Sequence, residues 1–183
     1  MTNNNNYVAR KTKIGKWNTA GEACNGNIDL LSADVITSEL RTHANTLSTW
    51  SVIADPSGDH KYIVDDAVIA LLTGPNAKSL ETIDLIIINR DEVSELTFDG
   101  SQKGDTTVTS LQDKHYNIVN LNYSSLGKVS SIFIDLVKKG EFVKVSKYDI
   151  KIIIEKAMKD NVISLSDFND DIKPKVCKML KIG

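Results

Sequence analysis

The stretch "IDLIIIN", residues 83–89, constrains this chain more than any other. A strand of that composition has no polar face to offer water, so it is buried on both faces and belongs in the middle of a sheet. Other segments can supply its partners. Residues 46–54 are β-branched or apolar in near alternation, with Trp50, Val52 and Ala54 on one side, which reads as a half-buried strand ended by the turn "DPSGD". "YNIVNL", 116–121, reads as another strand and "TTVTSL", 106–111, as a returning edge strand. "FDGSQKGD", 98–105, reads as a hairpin tip or mobile loop.

Helical signals flank these runs. Ser32 can cap a helix running to Arg41, with Asp34 in its first turn and Ala33, Ile36 and Leu40 on one face. In "YIVDDAVIALLTGP", Asp65 or Asp66 is the expected cap, and Gly74 followed by Pro75 the stop. From Ser124 onward the periodicity turns helical. Leu126, Val129, Ile132, Phe133, Leu136 and Val137 form one stripe, with Ser125 as cap and Gly140 as terminator. After a short extended link, "EFVKVS", Ser146 opens a second helix carrying Ile150, Ile153, Ile154, Ala157 and Met158. A third, capped by Ser166, carries Phe168, Ile172, Val176 and Leu180, and Pro174 must kink or restart it.

The expected fold is therefore α+β: a mixed or mainly antiparallel sheet built from residues 46–122 with helices on a face, and a helical C-terminal section packed on it. The expected organisation is a flexible N-terminal arm over 1–16, an α+β domain over 17–123 and the helical section over 124–183. Residues 126–183 carry 12 lysines against 8 acids, a balance of +4 that leaves −6 for the remainder of a chain whose net charge is −2. Hydrophobic residues at 41% and charged residues at 25% exclude wholesale disorder. No run approaches the roughly 18 apolar residues needed to span a bilayer.

Cys24 and Cys177 are too few for a secreted disulfide scaffold, and the first 17 residues hold no apolar signal core, so a cytoplasmic location is expected. Lysine outnumbers arginine 19 to 3, a bias that AT-rich coding produces and that hints at a low-GC bacterium or a mobile element.

Arg41, His43, Asn45 and Trp50 cluster where the first helix gives way to the strand. A guanidinium, an imidazole, an amide and a flat indole suit a partner-binding surface; the competing reading is a helix-to-strand turn with Trp50 in the core. Asp55, Asp59, His60, Asp65 and Asp66 have the chemistry of a metal-dependent hydrolase, yet their spacing fits no metal motif. Phosphate-binding glycine loops, a nucleophile elbow and a calcium loop are likewise unmatched. The lysine-rich helices, Lys147 and Lys151 above all, suit nucleic acid, although Asp149, Glu155 and Asp160 interrupt the basic face.

With no catalytic residues, cofactor or metal assigned, the leading expectation is a non-catalytic protein that binds another protein, homodimerisation being open. Nucleic-acid binding is the alternative, and a metal-dependent hydrolase a distant third.

Overall fold

Residues Ile83–Asn89 form a strand with a hydrogen-bonded neighbour along each edge and an apolar layer against each face. The computed structural model describes residues 6–25 and 27–182. In chain order its elements are β1 (Tyr7–Thr12), α1 (Ile14–Cys24), α2 (Ala33–Glu39), β2 (Leu47–Ala54), β3 (Tyr62–Ile63), α3 (Asp65–Leu72), β4 (Ile83–Asn89), β5 (Thr97–Asp99), α4 (Thr109–Gln112), β6 (His115–Val119), α5 (Tyr123–Lys138), β7 (Phe142–Val145), α6 (Lys147–Lys159) and α7 (Lys173–Leu180).

The strand order is β5-β6-β2-β1-β4-β7, with β3 added to β2, and the pairings between these strands are antiparallel. The fold is α+β. Side chains alternate along β4, so Ile83, Leu85 and Ile87 join Trp50 and Val52 beneath α3, α6 and α7, where Val68, Ile150, Ile154 and Val176 complete one core. Ile86 and Ile88 point the other way. They meet Val8, Leu47 and Ile118 beneath α1 and α5, whose Ile14, Trp17, Phe133 and Val137 build the second core. Helices thus cover both faces rather than one.

The N-terminal segment departs furthest from expectation. Its first five residues lie outside the described residues, but Tyr7–Thr12 is a strand between β2 and β4, and α1 begins at Ile14 within the expected arm. The registry of β1 on β4 runs from Tyr7 opposite Asn89 to Thr12 opposite Asp84. Burial on both faces, with Val8 and Ala9 each enclosed, gives β1 no alternating pattern to betray it. "TTVTSL" is not an edge strand: it enters α4, and the edge next to β6 is β5. "EFVKVS" holds β7, which pairs β4, so the C-terminal stretch contributes to the same sheet as the rest.

Capping explains several helix boundaries. Asn122, rather than Ser125, caps α5: its side chain accepts from the Ser125 N–H at 3.0 Å while the Ser125 hydroxyl accepts from the Asn122 N–H at 2.6 Å. Ser146 and Asp149 form the same reciprocal box at α6. Asp65 and Asp66 fall in the first turn of α3 rather than at its cap, which is Val64. Ser164, not Ser166, closes a box with Asp167, and Pro174 starts α7 from within its first turn, where no helical N–H is lost.

Two polar clusters tie elements together. Glu39, at the end of α2, is 8% exposed. Its carboxylate accepts from the Thr12 hydroxyl (3.1 Å), the Lys13 N–H (2.9 Å) and the Lys16 ammonium (2.9 Å), and Thr12 in turn accepts from the Trp17 indole N–H (2.7 Å). Asn169 donates to the carbonyls of Gly74 (3.2 Å) and Ala77 (3.0 Å) and accepts from the N–H groups of Asp171 and Ile172 (both 3.0 Å).

Candidate binding groove

Helix α6 exposes one side to solvent because its apolar positions, Ile150, Ile153, Ile154 and Ala157, are consumed by the core. Lys147 and Lys151 stand one turn apart on the remaining surface, with the exposed Tyr148 beside them. Helix α7 buries Val176 and turns Lys175, Lys178 and Met179 toward the same space. Ser79, Leu80 and Glu81, from the segment leading into β4, complete a groove of about 770 Å³.

Charge and shape act together here. The lining holds four lysines to one glutamate, and Leu80, Met179 and Tyr148 contribute its apolar side chains. Glu81 lies 4.0 Å from Lys147, and Lys151 pairs along its own helix with Glu155 at 3.4 Å. Both pairs are exposed, and such pairs contribute about 0–1 kcal/mol. Lys175 donates to the Lys78 carbonyl, a neutral acceptor, and among the described residues it has no ion-pair partner. Among the described residues Lys178 has no ion-pair partner. Lys147 and Lys151 are visible in the sequence by their four-residue spacing. Lys175 and Lys178 show the same kind of spacing, but only the packing of α7 against α6 reveals that the two pairs face one groove.

The segment around Arg41 resolves into a hairpin turn. His43 and Thr46 exchange backbone hydrogen bonds at 3.2 and 3.0 Å across Ala44 and Asn45, whose φ angles of 49° and 59° are both left-handed, as two-residue hairpins require. Arg41, His43 and Asn45 are exposed, and the Asn45 carbonyl accepts from the Leu121 N–H at 3.1 Å. Trp50 is not with them on the surface. It is 6% exposed and lies in the core beneath α3.

The acidic residues are spread among separate tasks. Asp55 accepts from Ser57 Oγ (2.7 Å), the Ser57 N–H (2.9 Å) and the His60 N–H (3.0 Å), and these bonds, with the Ser57 hydroxyl foremost, hold its carboxyl below the usual carboxylate range. Asp65 pairs with Lys156 at 3.0 Å, and Asp66 pairs with Lys114. Among the described residues no three His, Cys, Asp or Glu side chains are grouped so as to hold a metal ion. No helix among them is long and apolar enough to cross a membrane. Comparison with protein-family models, with curated proteins and with solved structures finds no match for this chain.

Proposed function

We propose that this chain is a binding protein of the cytoplasm whose α6–α7 groove takes up an acidic segment of another protein. The observation that carries the reading is the groove itself, whose lining combines four lysines with Leu80, Met179 and Tyr148. A peptide presenting carboxylates on either side of one or two apolar anchors matches that layout, the anchors supplying affinity and the charges supplying orientation and encounter rate. The cytoplasmic assignment draws on Cys24 and Cys177, both free thiols and the first of them buried.

Fluorescence anisotropy of a labelled peptide alternating Glu and Leu tests the reading. Saturable binding that weakens with salt, and is lost in a chain carrying Lys147→Glu, Lys151→Glu and Lys178→Glu, supports it; no binding at low salt refutes it. Nucleic acid is the second reading, favoured by the way Lys175 and Lys178 extend the Lys147–Lys151 pair across the groove. It predicts that duplex DNA competes with the peptide and that log affinity falls with log salt at a slope of about −3.6 if all four lysines neutralise phosphates.

A further inference from the structure

On the sheet face that carries Trp50, the next outward position of β2 is Ser48, which is exposed. Its hydroxyl lies 2.5 Å from Nε2 of His115, a β6 residue that is only 6% exposed. The other imidazole nitrogen, Nδ1, lies 3.2 Å from the carbonyl oxygen of Gln102. A carbonyl only accepts, so Nδ1 carries the hydrogen of the neutral ring and Nε2 is a bare acceptor. The Ser48 O–H must then be the donor, aimed at a base.

The imidazole is held on several sides. The Trp50 ring meets it edge-on at 5.1 Å between centroids, Trp50 and His115 are direct cross-strand partners, and Gly104 packs against both side chains. The Ser48 carbonyl is anchored by the Arg10 guanidinium, whose Nη1 donates to it at 2.8 Å. Burial lowers the pKa of His115 from its ordinary value, against the opposing influence of the Gln102 carbonyl and the Asp105 carboxylate, which keeps the ring neutral and basic at physiological pH. Asn117 is the direct cross-strand partner of Ser48, which brings their Cβ atoms to about 5 Å. One N–H of its carboxamide donates to Gln102 Oε1 at 3.2 Å, leaving the second for another acceptor.

A nucleophile, a base and a group that orients the base are the parts of a serine acyl-transfer centre. We propose that Ser48 and His115 form such a centre, with Gln102 fixing the imidazole and Asn117 facing the developing oxyanion, and that its substrate class is a carboxylic ester. Ser48 Oγ attacks the carbonyl carbon as its proton passes to Nε2; the tetrahedral adduct then expels the alcohol, whose oxygen takes that proton from Nε2. Water repeats the cycle on the acylated Ser48, releasing the carboxylic acid and returning the proton to Oγ. This inference goes beyond the binding reading and shares no residue with the groove.

The test uses the full chain, an alkyl fluorophosphonate probe and p-nitrophenyl acetate. The expected result is a single phosphonyl adduct mapped to Ser48, absent in Ser48→Ala and slowed about 100-fold in His115→Gln, the scale of general-base assistance. Acetyl ester hydrolysis is lost in the same variants and retained in Gly127→Ala, a change in α5 whose Cβ position meets nothing within 4 Å. Because His115→Gln perturbs a buried position, the native chain supplies a second readout: the labelling rate rises with pH to a plateau set by the imidazole. No Ser48 adduct from the folded chain, an adduct that forms equally fast in His115→Gln, or a rate that climbs without a plateau overturns the proposal.

Discussion

Gly104 is the position at which one methyl group tells most about the sheet. A Cβ built there would lie 2.2 and 2.6 Å from two carbons at the outer edge of the Trp50 indole and 2.8 Å from the His115 Cβ. Restoring an ordinary contact of 3.4 Å requires a displacement of about 1.2 Å, and neither neighbour yields easily. Trp50 is enclosed in the core, and the His115 Cβ moves only with the β6 backbone. The loop must lift instead, which strains the Gly104 N–H bond to the Gln112 carbonyl (2.8 Å) and the Thr106 N–H bond to the Gly104 carbonyl (3.0 Å). Overpacking costs about 1–3 kcal/mol and a weakened hydrogen bond about 1 kcal/mol, so Gly104→Ala is expected to destabilise by about 2–4 kcal/mol. For a chain of this length that lowers Tm by roughly 5–12 °C.

Urea unfolding followed by far-UV circular dichroism measures the effect. Gly127→Ala is the matched control: nothing lies within 4 Å of its Cβ position in α5, so the same change there is expected to stabilise by about 0.5–1 kcal/mol. Trp50→Phe removes the ring atoms in the way, so the double variant should lose less than the two single changes together. A Gly104→Ala cost of under about 0.5 kcal/mol, or strict additivity with Trp50→Phe, would refute the close-contact account.

Glu39→Ala is expected to cost about 2–3 kcal/mol by stripping partners from Thr12, the Lys13 N–H and Lys16, measured by urea midpoint at pH 7. Burial works to raise the Glu39 carboxyl, but the Lys16 ammonium, the Lys13 N–H and the Thr12 hydroxyl together hold it below its ordinary value. Its contribution is therefore full above the unfolded-state value near 4.3 and fades as pH falls through the lower folded value, a slope that Glu39→Gln should flatten in midpoints taken between pH 2.5 and 6. Asn169→Ala is expected to lose about 2–3 kcal/mol and to raise amide exchange at the start of α7, since one side chain bridges that helix to the loop after α3. Phe133→Ala opens the core beneath α5, where Phe133 is fully buried and edge-on to Trp17 at 5.3 Å. A loss of about 3–5 kcal/mol should accompany a change in tryptophan emission.

Much of the architecture was legible where one physical cause dominates. The 83–89 run could only be a strand covered on both faces, and the stripes from Leu126 and from Ile150 could only be amphipathic helices. Misreadings arose where causes compete. Tyr7–Thr12 carries Arg10 and Lys11 beside an asparagine tract, so local composition suggests an arm, while long-range pairing with β2 and β4 makes it a strand. "TTVTSL" has strand-like residues, but hydrogen bonds from Thr107 to the Thr73 and Asp167 carbonyls bend it into α4. For the groove, Lys147 and Lys151 are readable from helical spacing, whereas Lys175 and Lys178 depend on how α7 packs. Ser48 and His115 stand 67 positions apart, and only the β2–β6 registry brings them together.

The place of β1 has a consequence for how the chain is made. β1 is synthesised before both of its partners and must wait for residues 47–54 and then 83–89 before both of its edges are satisfied. Until β4 has emerged, at least one edge of that segment keeps unpaired backbone groups open to adhesion and to chaperones. Cleaving it away at Thr12 would part the finished sheet between β2 and β4 rather than trim a tail.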